Sequence, residues 1–581
     1  MTRPHDDLDP SQFESFYPLL PTWAQREYRI MVNEANQYLE GLSRGEFIPS
    51  TYQPDLPRWA AMADQTARVC DQLLEQISPR AALTPTWVGL PDDLLATTGD
   101  YGGFNRLRWV LAANATGRRT DIDLLQNYLR RAGRWWGARV VLDRHQEISS
   151  DALLSIDGTP GREFLHRTSS QVIRFHWAAE RIALEIGRQV EADPQFATYL
   201  PDFTEHNVRG CIDSAWYYTR LLDGPPIPLD YPGMSLAQHM SIEAGAGKLK
   251  FSEAAVSTRM DASPWVRYSE GLVPIATASV FMAIDRALLA AVDDHLGAAG
   301  VRLNKITKGE LFERVAQECI SQSLAFGGRT LPRECSVTVG NASYDVDVNI
   351  ANSDTVEIIG EVKAKEPTNR IGTAAAGNFQ EQIGEVHEQL SLRLNALADG
   401  IALIDGYGAR HHGSPDTLGL GIVLHPYSAS LGDPDMMDVL EPEHRHWRIA
   451  TAELHSWILV LSAMETLHEL RGYLRFRQDL IDLQVRFSEE CDPALVFLEG
   501  NGDHLLRLLR TSRDKCPPDR KFAPILNGAQ LDTELAISLP PPTDSLQWRT
   551  TFCTVTHSVS LPFHLNGDGD GTTGMDVARQ P

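Results

Sequence analysis

Between about residues 10 and 300, apolar positions recur at steps of three and four, the period of a helix with one buried stripe. The stretches EYRIMVNEANQYLEGL, RWAAMADQTARVCDQLLEQI, DIDLLQNYLRRAGRWWGARVVL and SSQVIRFHWAAERIALEIGRQV carry this pattern, and Pro- and Gly-rich breaks at PRAALTPTW, DGTPG and DGPPIPLDYPG separate them. Near residue 300 the texture changes. A helix, ELFERVAQECISQSL, leads into strand-like CSVTVG, SYDVDVNI and TVEIIGEVKA, then a long helix, NFQEQIGEVHEQLSLRLNAL, and two further strands, GIALIDG and LGLGIVLHPY. Helical spacing returns in HSWILVLSAMETLHELRGYLRFRQDLIDL, and the chain closes on NGDGDGTTGMDVARQP. The pattern predicts a multidomain α plus α/β protein: a mostly helical region over 1–300, an α/β module over 301–430, a helical and mixed extension over 431–560 and a disordered tail over 561–581.

The module carries charge where a buried strand should not. In SYDVDVNI, Tyr344, Val346, Val348 and Ile350 alternate with Asp345, Asp347 and Asn349, so one face is apolar and the other acidic. After a turn at NSD the next strand places Ile358, Val362 and Ala364 opposite Glu361, Lys363 and Lys365. Two adjacent strands then present Asp347, Glu361 and Lys363, with Asp345 in reserve, toward one surface. Side chains two apart on a strand are separated by roughly 6.5 to 7 Å, which lets carboxylates on neighbouring strands share a hard cation while an ammonium reaches a water or phosphate beside it. Mg²⁺ suits oxygen ligands of this kind. The preceding helix buries Phe312, Val315, Ala316, Cys319 and Ile320; Glu313 lies at the edge of that stripe and points into the domain, and Glu310 lies nearly opposite, toward solvent.

A helix with an acid in LFERV, an aspartate in DVDV, fourteen positions to EVK and then a helix containing glutamines together resemble the PD-(D/E)xK nuclease superfamily, the restriction-endonuclease-like fold. An E-x-K triplet alone is common on solvated strand faces, where it makes cross-strand ion pairs; the full set carries the resemblance. It covers under a quarter of the chain, and Val346 stands where the signature has proline. It implies metal-dependent hydrolysis of phosphodiesters. Asp347 and Glu361 would hold one or two Mg²⁺ ions, with Mn²⁺ able to substitute; Lys363 would orient the attacking water or stabilise the transition state, Glu313 would complete the outer coordination, and Gln382 would match a glutamine that many members carry after the E-x-K strand. DNA is the favoured substrate by the same resemblance, and a large helical region fused to such a module resembles anti-phage or restriction effectors. A homo-oligomer or a protein activator is compatible with it, although the sequence has no interface signature. Two other readings stand beside it: a non-enzymatic interaction protein on a degenerate nuclease fold, and an RNA-processing nuclease. A basic rim of Lys305, Lys308, Lys363, Lys365 and Arg370 would favour nucleic acid.

Composition narrows this only slightly. The 581 residues are too many for one core, and about three domains is the expectation. A formal net charge of −24 repels polyanions at long range and leaves nucleic-acid binding to local basic surface or metal ions. Seven scattered cysteines without C-x-x-C spacing, and an N-terminus with no basic region before an apolar core, fit a reducing cytoplasm. The longest apolar stretch, VPIATASVFMAI, is too short for a bilayer and predicts a buried helix.

Other motifs fail in detail. EAGAGKLKF lacks the first glycine and the Ser or Thr of a phosphate loop and predicts a break between helices. NGDGDG has Val577 where a calcium loop needs a bidentate Glu. RHH at 410–412 and EHRHW at 443–447 lack a metal-site partner pattern. Trp135 and Trp136 in RRAGRWWGARVV are expected in a core rather than on bases.

Overall fold

The computed structural model describes residues 56–83, 103–149, 169–221, 225–299, 307–364, 380–425, 431–515, 524–531, 555–560 and 575–576, apart from a few single positions inside these spans. The chain forms two compact units: residues 1–150, 159–172 and 196–295 in one, residues 151–158, 173–195 and 296–581 in the other. No helix among the described residues is long and apolar enough to cross a membrane.

The first unit is helical with one small sheet. Helices Leu56–Leu74 and Ile122–Ser149 pack along each other, and the Phe251 ring stands edge-on to both Tyr128 and Trp135. Trp135 is therefore core, as its apolar neighbours predict; the Trp136 side chain lies outside the described residues. The helical pattern hides a three-stranded sheet of Ser241–Glu243, Trp265–Tyr268 and Gly271–Val273, since strands of three or four residues are too short to show a period. The EAGAGKLKF segment leaves the first of these strands rather than a helix. A Cβ on Gly247 would sit 2.3 Å from Asn114 Oδ1, so the glycine serves close packing against a helix end, not a phosphate cradle. The VPIATASVFMAI stretch is divided between the last strand and a helix, Thr277–Ala298.

The second unit is built on a five-stranded sheet. Its elements from Lys308 to Leu498 include α1 (Lys308–Ser323), β1 (Arg329–Thr330), β2 (Cys335–Val339), β3 (Ala342–Val346), β4 (Val348–Asn352), β5 (Thr355–Lys363), α2 (Glu385–Ala398), β6 (Leu403–Ile404), β7 (Arg410–His411), β8 (Leu418–Val423), β9 (Ile449–Glu453), α3 (Leu454–Ala463), α4 (Leu467–Asp482) and α5 (Cys491–Leu498). The order is β9-β8-β5-β4-β1, with β9, β8 and β5 parallel and β4 and β1 antiparallel to their neighbours. A smaller antiparallel sheet runs β7-β6-β2-β3.

Every residue of β8 is buried, which a parallel strand covered on both faces requires. Helix α2 packs on β5, β8 and β9, while α1 meets β4 and β5 and α3 meets β8 and β9. Gly421 lets α2 approach: a Cβ there would lie 2.1 Å from Thr451 Oγ1 and 2.8 Å from Val386 Cγ1. Thr307 caps α1 by accepting the Glu310 backbone N–H at 3.1 Å.

Four expectations are corrected. SYDVDVNI is two strands that break at Asp347 and belong to different sheets, because the chain crosses from one sheet to the other there. The module does not stop at 430, since β9 pairs with β8 over Ile449–Glu453 and closes the sheet edge. The helical region over 1–300 is not one body, since residues 173–195 fall in the second unit. The tail over 561–581 contributes Met575–Asp576 to a strand pair with Val555–Ser560.

Candidate active site

The break at Asp347 decides between the two aspartates. Asp345, still on β3 and paired with Ser336, is exposed in the small sheet. Asp347 has left β3 and is half-buried, and its Oδ2 accepts the backbone N–H of Val362 at 2.8 Å. Asn349, which simple alternation placed on the same face, is buried and accepts the Leu331 N–H at 3.0 Å through Oδ1.

Glu361 lies on β5, in register with Gly421 of β8, and is buried. Both its oxygens are taken. Lys363 Nζ donates to Oε1 at 2.8 Å, and Arg393 NH1, from α2, donates to Oε2 at 2.5 Å. Glu385, at the start of α2, stands 3.7 Å from Lys363 Nζ. Burial works against the Lys363 ammonium, but Glu361, Glu385 and Asp347 outweigh it and hold its pKa above the ordinary lysine value.

Glu313 of α1 and Asp347 respond to Glu361 as like charges do. Burial first, then Glu310 and Glu361, push the Glu313 carboxyl up to about 7. Burial, then Glu361 and Glu313, push Asp347 up to about 7 as well, against the Val362 N–H that lowers it. Glu361 on β5 thus acts on an acid of α1 and on the one at the strand break. Glu310 departs from its expected solvent position, because Arg314 ties it at 2.9 Å and also reaches Asp193 at 2.7 Å.

Gln382 is buried in a wide turn, Gln380–Gly384, that leads into α2. Of the expected basic rim, Lys308 and Lys363 are described; Lys305, Lys365 and Arg370 lie outside the described residues. The sequence reading missed Arg393. The signal was present: Val386, Leu390, Arg393 and Leu397 fall on one helical stripe whose other members are apolar, and a charge in such a stripe needs a partner.

The histidine motifs resolve into structural roles. His387 is buried between the His444 carbonyl at 3.2 Å and Thr451 Oγ1 at 3.1 Å, and burial lowers its pKa to about 4. It is therefore neutral, donating from Nδ1 and accepting at Nε2. His411 pairs with Asp405 at 3.0 Å inside the β6–β7 hairpin, and Asp405 also accepts the N–H groups of Tyr407 and Ala409. All five described cysteines are buried, and none of them is in a disulfide.

Among the described residues no group of three His, Cys, Asp or Glu side chains is arranged to hold a metal ion as it stands. The donor chemistry nevertheless fits a hard cation. The available donors are carboxylate oxygens, and burial first, then neighbouring acids, pushes two of the three toward protonation, an imbalance that a divalent ion would relieve. No family model, no curated protein and no solved structure matches this chain.

Proposed function

We propose that the second unit is a divalent-cation-dependent nuclease, a hydrolase that cuts phosphodiester bonds of nucleic acid, with DNA the favoured substrate and anti-phage or restriction defence in the cytoplasm the setting it suits. One observation carries the reading: Glu361 stands close enough to Glu313 and Asp347 to add to what burial does in raising the proton affinity of both, with Lys363 bonded to Glu361 beside them. Crowding carboxylates out of water costs stability unless it serves a charge that arrives later.

Asp347 and Glu361 would hold Mg²⁺, or Mn²⁺ in its place, with Glu313 completing the set. The ion supplies a water of lowered pKa and offsets charge growing on the phosphate. The chain's own residues do the rest. The Val362 N–H fixes one Asp347 oxygen and leaves Oδ1 outside that bond. Lys363, partly exposed and with Glu385 as a second acid, can turn its ammonium from Glu361 to a phosphate oxygen or an attacking water and stay paired. Glu313 holds or yields a proton near neutral pH, so it follows changes of charge at the site. Cutting both strands of a duplex would call on a second copy or an activator.

A specific observation favours the second reading, an interaction module on a silent nuclease-like site: both Glu361 oxygens are already bonded to cationic side chains. Purified wild type and Glu361→Ala, offered linear, circular and single-stranded DNA and RNA with Mg²⁺, Mn²⁺ or EDTA, separate the two. Metal-dependent cutting that disappears in Glu361→Ala supports the nuclease and ranks its substrates; silence of the wild type on every substrate supports the interaction module.

A further inference from the structure

The two cations on Glu361 are not equivalent. The Lys363 side chain keeps 22% of its surface exposed and has Glu385 as a second acid within 3.7 Å, so it can move off Oε1 and stay paired. The Arg393 side chain keeps only 6%, and the carboxylate it meets keeps 5%. Arg393 is buried on α2 in a stripe whose other members, Val386, Leu390 and Leu397, are apolar, and leaving Oε2 would strand its guanidinium as a buried charge. Oε1 can therefore be vacated for a ligand, whereas Oε2 is permanently occupied.

This asymmetry has a coordination consequence. Ca²⁺ takes six to eight oxygens and often both oxygens of one carboxylate; Mg²⁺ requires a compact octahedron and takes carboxylates through single oxygens, keeping several waters. We propose that Arg393 is a positioning residue that makes Glu361 a one-oxygen ligand and so sets the site's choice among divalent cations, favouring Mg²⁺ over Ca²⁺. The inference rests on reading the site as a cation-dependent nuclease, and it adds a function for a residue the E-x-K pattern does not include.

The test is calorimetric titration of full-length wild type, Arg393→Met, Arg393→Lys and Glu361→Gln with Mg²⁺, Mn²⁺ and Ca²⁺ at one pH, with circular dichroism to verify folding. Wild type should bind Mg²⁺ and Mn²⁺ ahead of Ca²⁺. Arg393→Met, which frees Oε2, should move the Ca²⁺-to-Mg²⁺ affinity ratio toward Ca²⁺ by roughly tenfold or more, and Arg393→Lys, which keeps a cation there, should stay near the wild-type ratio. A folded Arg393→Met that binds cations with an unchanged ratio overturns the inference and leaves the nuclease reading standing. Wild type that binds no divalent cation, like Glu361→Gln, overturns the nuclease reading and the inference with it. Infrared difference spectra of wild type against Glu361→Gln, with and without Ca²⁺, need no arginine variant: carboxylate stretching of one-oxygen type supports the inference, and of two-oxygen type refutes it.

Discussion

Asp347 Oδ2 accepts the N–H of Val362, the residue between Glu361 and Lys363, so the crossing point between two sheets is tied to the strand that carries the acid and the lysine. That bond separates Asp347 from Asp345, which is exposed on the small sheet. Asp347→Asn should lower metal-dependent cleavage roughly 100-fold or more, and Asp345→Asn should leave it unchanged. Steady-state cleavage of one DNA substrate by both variants checks this, and equal losses would mean that the crossing point does not define the site.

Lys363→Met tests a different part of the chemistry. An ammonium that acts on the phosphate or water, not on the cation, should be needed for turnover and dispensable for loading. The expected result is a kcat lower by roughly 100- to 1000-fold, with Mn²⁺ binding retained in titration.

The acids also predict how stability depends on pH. In the folded protein without cation, Asp347 and Glu313 keep their protons up to about 7, chiefly because they are buried and then because acids face them. In the unfolded chain the same groups release protons near their ordinary values, about 4. Between those limits the folded state binds more protons, so stability falls as pH rises from about 4 to about 7. Asp347→Asn removes its share of that loss and should resist urea better than wild type above pH 7, by on the order of 1–2 kcal/mol. The gap should close toward pH 4 and narrow when Mg²⁺ is added. Equal urea midpoints at pH 8 would contradict the crowding of these carboxylates.

Two further changes should cost stability. Gly421→Ala forces a methyl against Thr451 Oγ1 and Val386, where α2 lies tightest on the sheet, at a cost of about 1–3 kcal/mol. Arg477→Met leaves Glu490, which Arg477 binds through both oxygens at 2.7 and 2.9 Å, as a lone buried charge beside Tyr473, at a cost of about 3–5 kcal/mol. Denaturant melts of each variant give these numbers directly.

What could be read in the chain depended on whether the determining contact was local. Glu361 and Lys363 were legible because a charge pair at spacing two breaks an apolar strand, and Glu313 because it borders a stripe five residues deep. Alternation alone could not show that SYDVDVNI changes sheets at Asp347, since a strand that breaks and restarts keeps its period across the break. Nor could it show Arg393, whose partner lies 32 positions earlier and whose meaning appears only when α2 docks on β5. The edge strand β9 was lost for the same reason: its pairing with β8 spans a connection with no pattern of its own.

The pairing of Arg314 with Asp193 joins residues 121 positions apart, with the 196–295 segment of the first unit between them. The second unit is consequently opened early in synthesis and finished last. Its segment over 173–195 leaves the ribosome well before α1 exists to pair Arg314 with Asp193. A clone that starts at residue 301 would therefore be a unit with a missing wall rather than a smaller, independent one, and Arg314 in it would lose Asp193 while keeping Glu310.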